Sequence, residues 1–414
     1  MTAAPPAAPP VARPDGPALR VLFVVQGEGR GHTTQALALA EMLRARGHAV
    51  VGALVGAGRR GGAPAFFRRA LGAPVETVES PTFAAAADGR IRAGATLART
   101  AARLDRYGAS LDRIGAVLDH AEPDVVVSFY EGLTGAYAFL RPLDAPVVAV
   151  GHQFMTGHPA YPLLPGQPVQ RAALAAYTGL AGFGAAARLA LSFYDAAPPD
   201  ARTAVVPPLL RRDLFALADR ETDGSILVYL MDPALAPPLV AWSRRRPDVR
   251  VHVFSDAAPR EVGPSLTFHG LSGRAFLERM SVARGVVCTA GFESVSEAMW
   301  LGRPALMVPT PGHYEQQCNA ADAAAVGAGL AADALDLDPF LAFLDADDAA
   351  ARAARTARFR AWVARAERLA VGAVEAAAGL DRPAPGGEAS AWGDGRGGAA
   401  DFDLAPAARP APSA

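Results

Sequence analysis

Short apolar runs that end in small residues and pass at once into helix-forming segments recur in two successive series, and this limits the possible folds more than any other feature. Leu19 to Gln26 reads as a buried strand, Thr33 to Arg46 as a helix ended by Gly47, and Ala49 to Val55 as the next strand. Pro123 to Phe129, Ala145 to Val150 and Arg188 to Phe193 extend the series. After Val205-Val206-Pro207-Pro208, read as a stiff link, it restarts with Ser225 to Leu230, Arg250 to Phe254, Leu266 to Phe268 and Gly285 to Cys288. The expectation is an α/β protein of two doubly wound halves, with strand carboxyl ends facing a shared crevice.

Composition narrows the chemistry. A chain of 414 residues with 51% hydrophobic content can fill two cores, and a formal net charge of −1 gives no reason to expect nucleic acid as a partner. All 40 basic side chains are arginine. Without lysine there is no Walker A phosphate loop, no Schiff base and no pyridoxal phosphate anchor. Cys288 in a strand and Cys318 in a helix read as reduced packing residues, and no metal site is expected. The first residues lack an apolar core long enough for a signal peptide, and no later run approaches a membrane span, so a cytoplasmic location is expected.

Residues 285–320 are the most informative stretch. The Gly285 to Cys288 strand empties into Thr289, Ala290 and Gly291, too small to keep a ligand from the backbone. The helix that follows opens with Phe292, Glu293 and Ser294 and closes at Gly302, so its free N–H groups and positive dipole end face the crevice, where a diphosphate would sit. Glu297, one turn in, can accept two hydrogen bonds from a ribose diol. Beyond Pro311-Gly312-His313, the row Glu315, Gln316, Gln317 and Asn319 offers the mixed donors and acceptors that sugar hydroxyls require.

These motifs resemble the donor-binding half of the GT-B glycosyltransferases, in the branch of the lipid II N-acetylglucosaminyltransferase and the UDP-glucuronosyltransferases. The resemblance implies that Glu297 holds the ribose, that the turn of Gly291, Phe292, Glu293 and Ser294 holds the diphosphate, and that Glu315 and Gln316 hold the sugar. Gly29, Gly31, Leu271 and His313 complete the implied donor side. It also implies an acceptor-binding domain at 18–207, a nucleotide-sugar domain at 208–382 whose last helix crosses back, and tails at 1–17 and 383–414 whose composition reads as disordered.

In the first half, Gln26-Gly27-Glu28-Gly29-Arg30-Gly31-His32 departs from a dinucleotide fingerprint, since His32 replaces the third glycine and the second strand ends without a carboxylate. Arg59 and Arg60 keep an NADP dehydrogenase as a minor alternative. Three residues at strand carboxyl ends could take a proton from an acceptor hydroxyl: His32, Glu131 and His152. Two departures from the family stand out. Phe129 occupies a position that is often acidic, and Tyr229-Leu230-Met231-Asp232-Pro233 replaces a Gly/Ser-rich turn, leaving the diphosphate in need of other donors.

The expected function is inverting, metal-independent transfer from a nucleoside diphosphate sugar, a UDP-sugar by resemblance, to a hydroxyl acceptor that is lipid-linked or a small aglycone. No cofactor is needed, because the nucleotide sugar is a co-substrate. A nucleotide-sugar 2-epimerase and a noncatalytic nucleotide-sugar-binding protein are the alternatives. Between residues 59 and 113 ten arginines face five carboxylates, with Phe66-Phe67 among them, a pattern suited to peripheral contact with the inner membrane face. Residues 153–170, rich in proline and apolar side chains, suggest a partly apolar acceptor pocket.

Overall fold

Two seven-stranded sheets make up the protein. The computed structural model describes residues 18–57, 61–81, 98–229, 236–256 and 258–380. In the first half lie β1 (Arg20–Val25), β2 (Ala49–Ala57), β3 (Val75–Glu79), β4 (Val125–Phe129), β5 (Val147–Gly151), β6 (Ala187–Leu191) and β7 (Thr203–Val206). They pair in parallel in the order β3-β2-β1-β4-β5-β6-β7. The second half holds β8 (Ile226–Tyr229), β9 (Val251–Ser255), β10 (Arg260–Val262), β11 (Leu266–Gly270), β12 (Gly285–Cys288), β13 (Ala305–Met307) and β14 (Gly329–Ala331). Its order is β10-β11-β9-β8-β12-β13-β14, parallel except for the β10–β11 pair. Helices cover both faces, which is why strands such as β1 and β4 are apolar at nearly every position and wholly buried.

The segment read as a stiff link is partly β7, with Pro207-Pro208 just beyond it. Of the residues expected to be disordered, 1–17 and 383–414 lie outside the described ones.

Each sheet reverses its strand order beside its first strand, between β1 and β4 and between β8 and β12, so ligand crevices open there. The turns after β4 and β12 match. Tyr130 (φ 52°) precedes Glu131, the N-cap of the Gly132–Leu140 helix, and Ala290 (φ 58°) precedes Gly291, the N-cap of the Phe292–Trp300 helix. A left-handed residue other than glycine costs on the order of 1–3 kcal/mol and occurs where the surroundings enforce it. The Phe292–Trp300 helix ends as expected, with Gly302 at φ 67°.

The Ala366–Ala377 helix returns to the first half, as the resemblance implied. Its Glu375 accepts from Arg46 Nη2 at 3.0 Å and from His48 Nε2 at 3.0 Å. His48 Nδ1 accepts the Leu19 N–H at 3.1 Å, which leaves the ring hydrogen on Nε2 to donate to the carboxylate. Just upstream, Trp362 Nε1 donates to the Ser192 carbonyl at 3.0 Å.

Candidate functional site

The glycine-rich turn after β1 meets the second half directly. Gly31 and His32 open the Gly31–Ala45 helix, and a side chain at Gly31 would begin 3.7 Å from Glu293 Cβ. One turn on, Gln35 Nε2 donates to Glu293 Oε2 at 3.3 Å. Glu293 is therefore spent on the opposite helix. Burial, with the Glu297 charge adding to it, raises its carboxyl well above the usual range. Burial also raises Glu297, but Arg211 offsets this by donating to Glu297 Oε1 from Nε at 2.8 Å and Nη2 at 2.6 Å. Of the two carboxyls, Glu293 is raised the further, because Arg211 faces Glu297 directly.

Arg211 was missed in the sequence. The available signal was a cation directly after the Pro207-Pro208 link, where the chain enters the second half. Both of its bonds fall on one oxygen of Glu297, leaving Oε2 outside that pair. Among the described residues, no atom lies within 4 Å of where a side chain on Gly291 would begin. Ser294, in the first helical turn, is half-buried, while the Phe292 ring is buried against His152 of the first half. Leu271, half-buried after β11, packs on the main core. Gly29 (φ 83°) lies exposed on the turn.

At the sugar end, His313 caps the Tyr314–Ala325 helix through Nδ1, which accepts Gln316 N–H at 3.4 Å. Gln316 Oε1 accepts the Thr310 N–H at 2.8 Å. Glu315 Oε1 accepts from Gln153 Nε2 at 2.8 Å. The 153–170 segment is thus a strap rather than an open pocket. Tyr161 donates to Asn319 Oδ1 at 2.7 Å, Gln167 to Gln317 Oε1 at 2.7 Å, and the Leu164 carbonyl accepts from Tyr314 at 2.8 Å.

The three base candidates separate. His32 is half-buried, its ring stacked at 5.9 Å on Tyr130, and its Nδ1 is enclosed with no close hydrogen-bond partner among the described residues. Burial lowers it to about 4, so the imidazole is neutral at pH 7 and able to accept a proton. Glu131 is fully buried and caps its helix, Oε1 accepting from Leu133 N–H at 3.1 Å and Ser80 Oγ at 2.7 Å, while Oε2 has no hydrogen-bond partner among the described residues. Burial raises its carboxyl to about 7. Gly56 makes room for it, since any side chain there would begin 2.3 Å from Oε2. His152 is closed between the halves: Nδ1 lies 2.6 Å from the Leu191 carbonyl, the ring stacks on Phe292 at 4.1 Å, and Nε2 stands 3.9 Å from Asp322 Oδ2. Its burial argues for packing rather than contact with an acceptor.

The proposed basic membrane patch is also reshaped. Arg103 and Arg106 pair with Glu79, and Arg113 with Glu76. Phe67 is a core residue, and Phe66 lies beneath the Arg30 guanidinium, 4.6 Å from it. Arg59, Arg60, Arg90 and Arg92 lie outside the described residues, as does the turn from Leu230 to Pro233. No helix among the described residues is long and apolar enough to cross a membrane.

A family model described as glycosyl transferase family 1 matches residues 19–345. The UDP-N-acetylglucosamine--N-acetylmuramyl-(pentapeptide) pyrophosphoryl-undecaprenol N-acetylglucosamine transferase of Methylobacterium sp. (strain 4-46) is 33% identical over 147 residues, 31% of this chain and 39% of that protein. The chain thus spans well under half the length of the curated relatives it matches. Among solved structures, the glycotransferase of kitacinnamycin is 17% identical with a TM-score of 0.58, covering 87% of this chain and 100% of that one. MurG of Acinetobacter baumannii is 18% identical with a TM-score of 0.51 over 87% of this chain and 100% of that one. Likeness at these identities speaks for the fold.

Proposed function

The chain belongs to glycosyl transferase family 1 and has the GT-B fold, and from that premise we propose that it moves a sugar from a nucleoside diphosphate donor, a UDP-sugar, to a hydroxyl acceptor with inversion. The acceptor oxygen bonds to the anomeric carbon as the bond from that carbon to the β-phosphate oxygen breaks. The electron pair leaves with the diphosphate, and the hydroxyl proton passes to His32. The observation that carries this reading is the meeting of the His32 turn with the Glu297-bearing helix across the crevice, joined by Gln35 and Glu293.

Leaving-group charge is met by the N–H groups at Gly291 and by Arg211, which supports transfer without a divalent ion. A 2-epimerase would need several carboxylates around the sugar, yet Glu131 is turned into a helix cap and Glu293 to Gln35. Behind His32, Tyr130 packs on Tyr177 at 5.2 Å and on Phe154 at 5.9 Å, so the wall that carries the base is apolar, which favours a partly apolar acceptor.

Calorimetric titration with UDP, UDP-glucose and UDP-N-acetylglucosamine, with and without EDTA, tests the donor assignment. Binding should survive EDTA and weaken about ten- to hundredfold in Glu297→Ala, the worth of charge-assisted hydrogen bonds to a diol. Unchanged binding in that variant would remove Glu297 from the site.

The proposal includes a cytoplasmic protein that rests on the inner membrane face when its acceptor is lipid-linked. Its support is an exposed apolar group on two adjoining helix ends, Phe139 (69% exposed), Leu140 (62%) and Phe183 (45%). Co-sedimentation with anionic vesicles should fall in Phe139→Asp/Phe183→Asp. Equal sedimentation of both proteins would dismiss this surface.

A further inference from the structure

We propose that Arg30, carried by the glycine-rich turn of the first half, is a donor-binding residue that joins Arg211 of the second half in a two-guanidinium cradle for the donor diphosphate. Its nucleotide context rests on the transferase reading; the cradle for a diphosphate anion does not.

The two cations converge on one glycine. A side chain on Gly273 would begin 3.2 Å from Arg211 Nη1 and 3.5 Å from Arg30 Nη2. Gly273 opens the Gly273–Val282 helix in the second half, so Arg30 spans the crevice to reach it. The Glu297 carboxylate completes the group: Arg211 bonds to it, and Arg30 lies close enough to lower its pKa. Asp213 Oδ1 stands 4.0 Å from Arg211 Nε, largely exposed. A planar fork of N–H donors matches phosphate oxygens in pairs, and two such forks brought from separate halves can flank one diphosphate.

Arg30 is also held in advance of any ligand. Its carbonyl accepts from Thr33 Oγ1 at 2.8 Å, Thr34 Oγ1 at 2.9 Å and Thr34 N–H at 3.0 Å, which pins the turn. Its guanidinium lies over the Phe66 ring, 4.6 Å from the centroid, which limits its rotamers. A residue ordered before binding loses little entropy on contact. Because Arg30 and His32 share one turn, the group that would stabilise the departing diphosphate and the base move together.

Calorimetric titration of the full chain with inorganic pyrophosphate, UDP and uridine separates the parts. Arg30→Gln should weaken pyrophosphate and UDP about ten- to hundredfold and leave uridine unchanged. Gly273→Leu, which plants a side chain between the guanidiniums while keeping both, should weaken the same two ligands and guards against a folding defect in Arg30→Gln. Wild-type affinity for pyrophosphate in both variants, or no pyrophosphate binding by the wild type, would overturn the cradle. Pyrophosphate behaving as expected while UDP binds no more tightly would keep the cradle and remove the nucleotide reading.

Discussion

Replacing His32 with alanine is expected to lower kcat by about a hundred- to ten-thousandfold while leaving UDP affinity within a few-fold of wild type. The imidazole stands on the turn between the halves, stacked on Tyr130. Burial lowers it to about 4. A base works in its deprotonated form, so the acid limb of kcat/KM should fall as pH drops through about 4 rather than near 6.5, and His32→Ala should lose that limb. Glu131→Gln is the informative companion: its amide oxygen can still cap Leu133, so it should keep the fold and lose less activity than His32→Ala. Full turnover in His32→Ala would refute the base assignment. If the wild type binds UDP-sugars without transferring them, and both variants bind equally well, the protein is the noncatalytic binder.

The second large effect concerns stability. Glu375→Ala should destabilise the protein by about 3–5 kcal/mol, measured by chemical denaturation, because it strips the partner from a buried charge group. His48 is fully enclosed and Glu375 nearly so, while Arg46 is 15% exposed, so water cannot fully replace the lost carboxylate. Glu375→Gln should cost less, since its carbonyl still accepts from His48 Nε2 and only the carboxylate charge facing Arg46 is lost. A shift under about 0.5 kcal/mol for the alanine variant, the range of an ordinary surface change, would show that the contact contributes nothing.

Legibility followed burial and chain distance. Central strands such as β1, β4 and β12 were readable because burial on both faces forces an apolar run. The edges were not: β3 reads Val-Glu-Thr-Val-Glu, with its outer side free for polar residues, and β10 and β14 have three residues each. The donor motif was legible as a string of types, but its pairings were not. Gln35 meets Glu293 from 258 positions away and Arg211 meets Glu297 from 86, and no local pattern encodes such distances. Glu131 reads as a base candidate at a strand end and not as a cap, because helix caps favour shorter side chains. Tyr130 and Ala290 gave no glycine to betray the left-handed turns.

The return of the last helix also has a mechanical side. The chain passes from first half to second after β7 and comes back in the last turn of the Ala349–Val363 helix. Arg360 is still bound to the Trp300 carbonyl, whereas Trp362 already reaches Ser192. With the chain crossing twice, the halves cannot part without also breaking the Arg46–Glu375 and Trp362–Ser192 contacts, so the covalent chain itself keeps the His32 turn facing the Phe292–Trp300 helix.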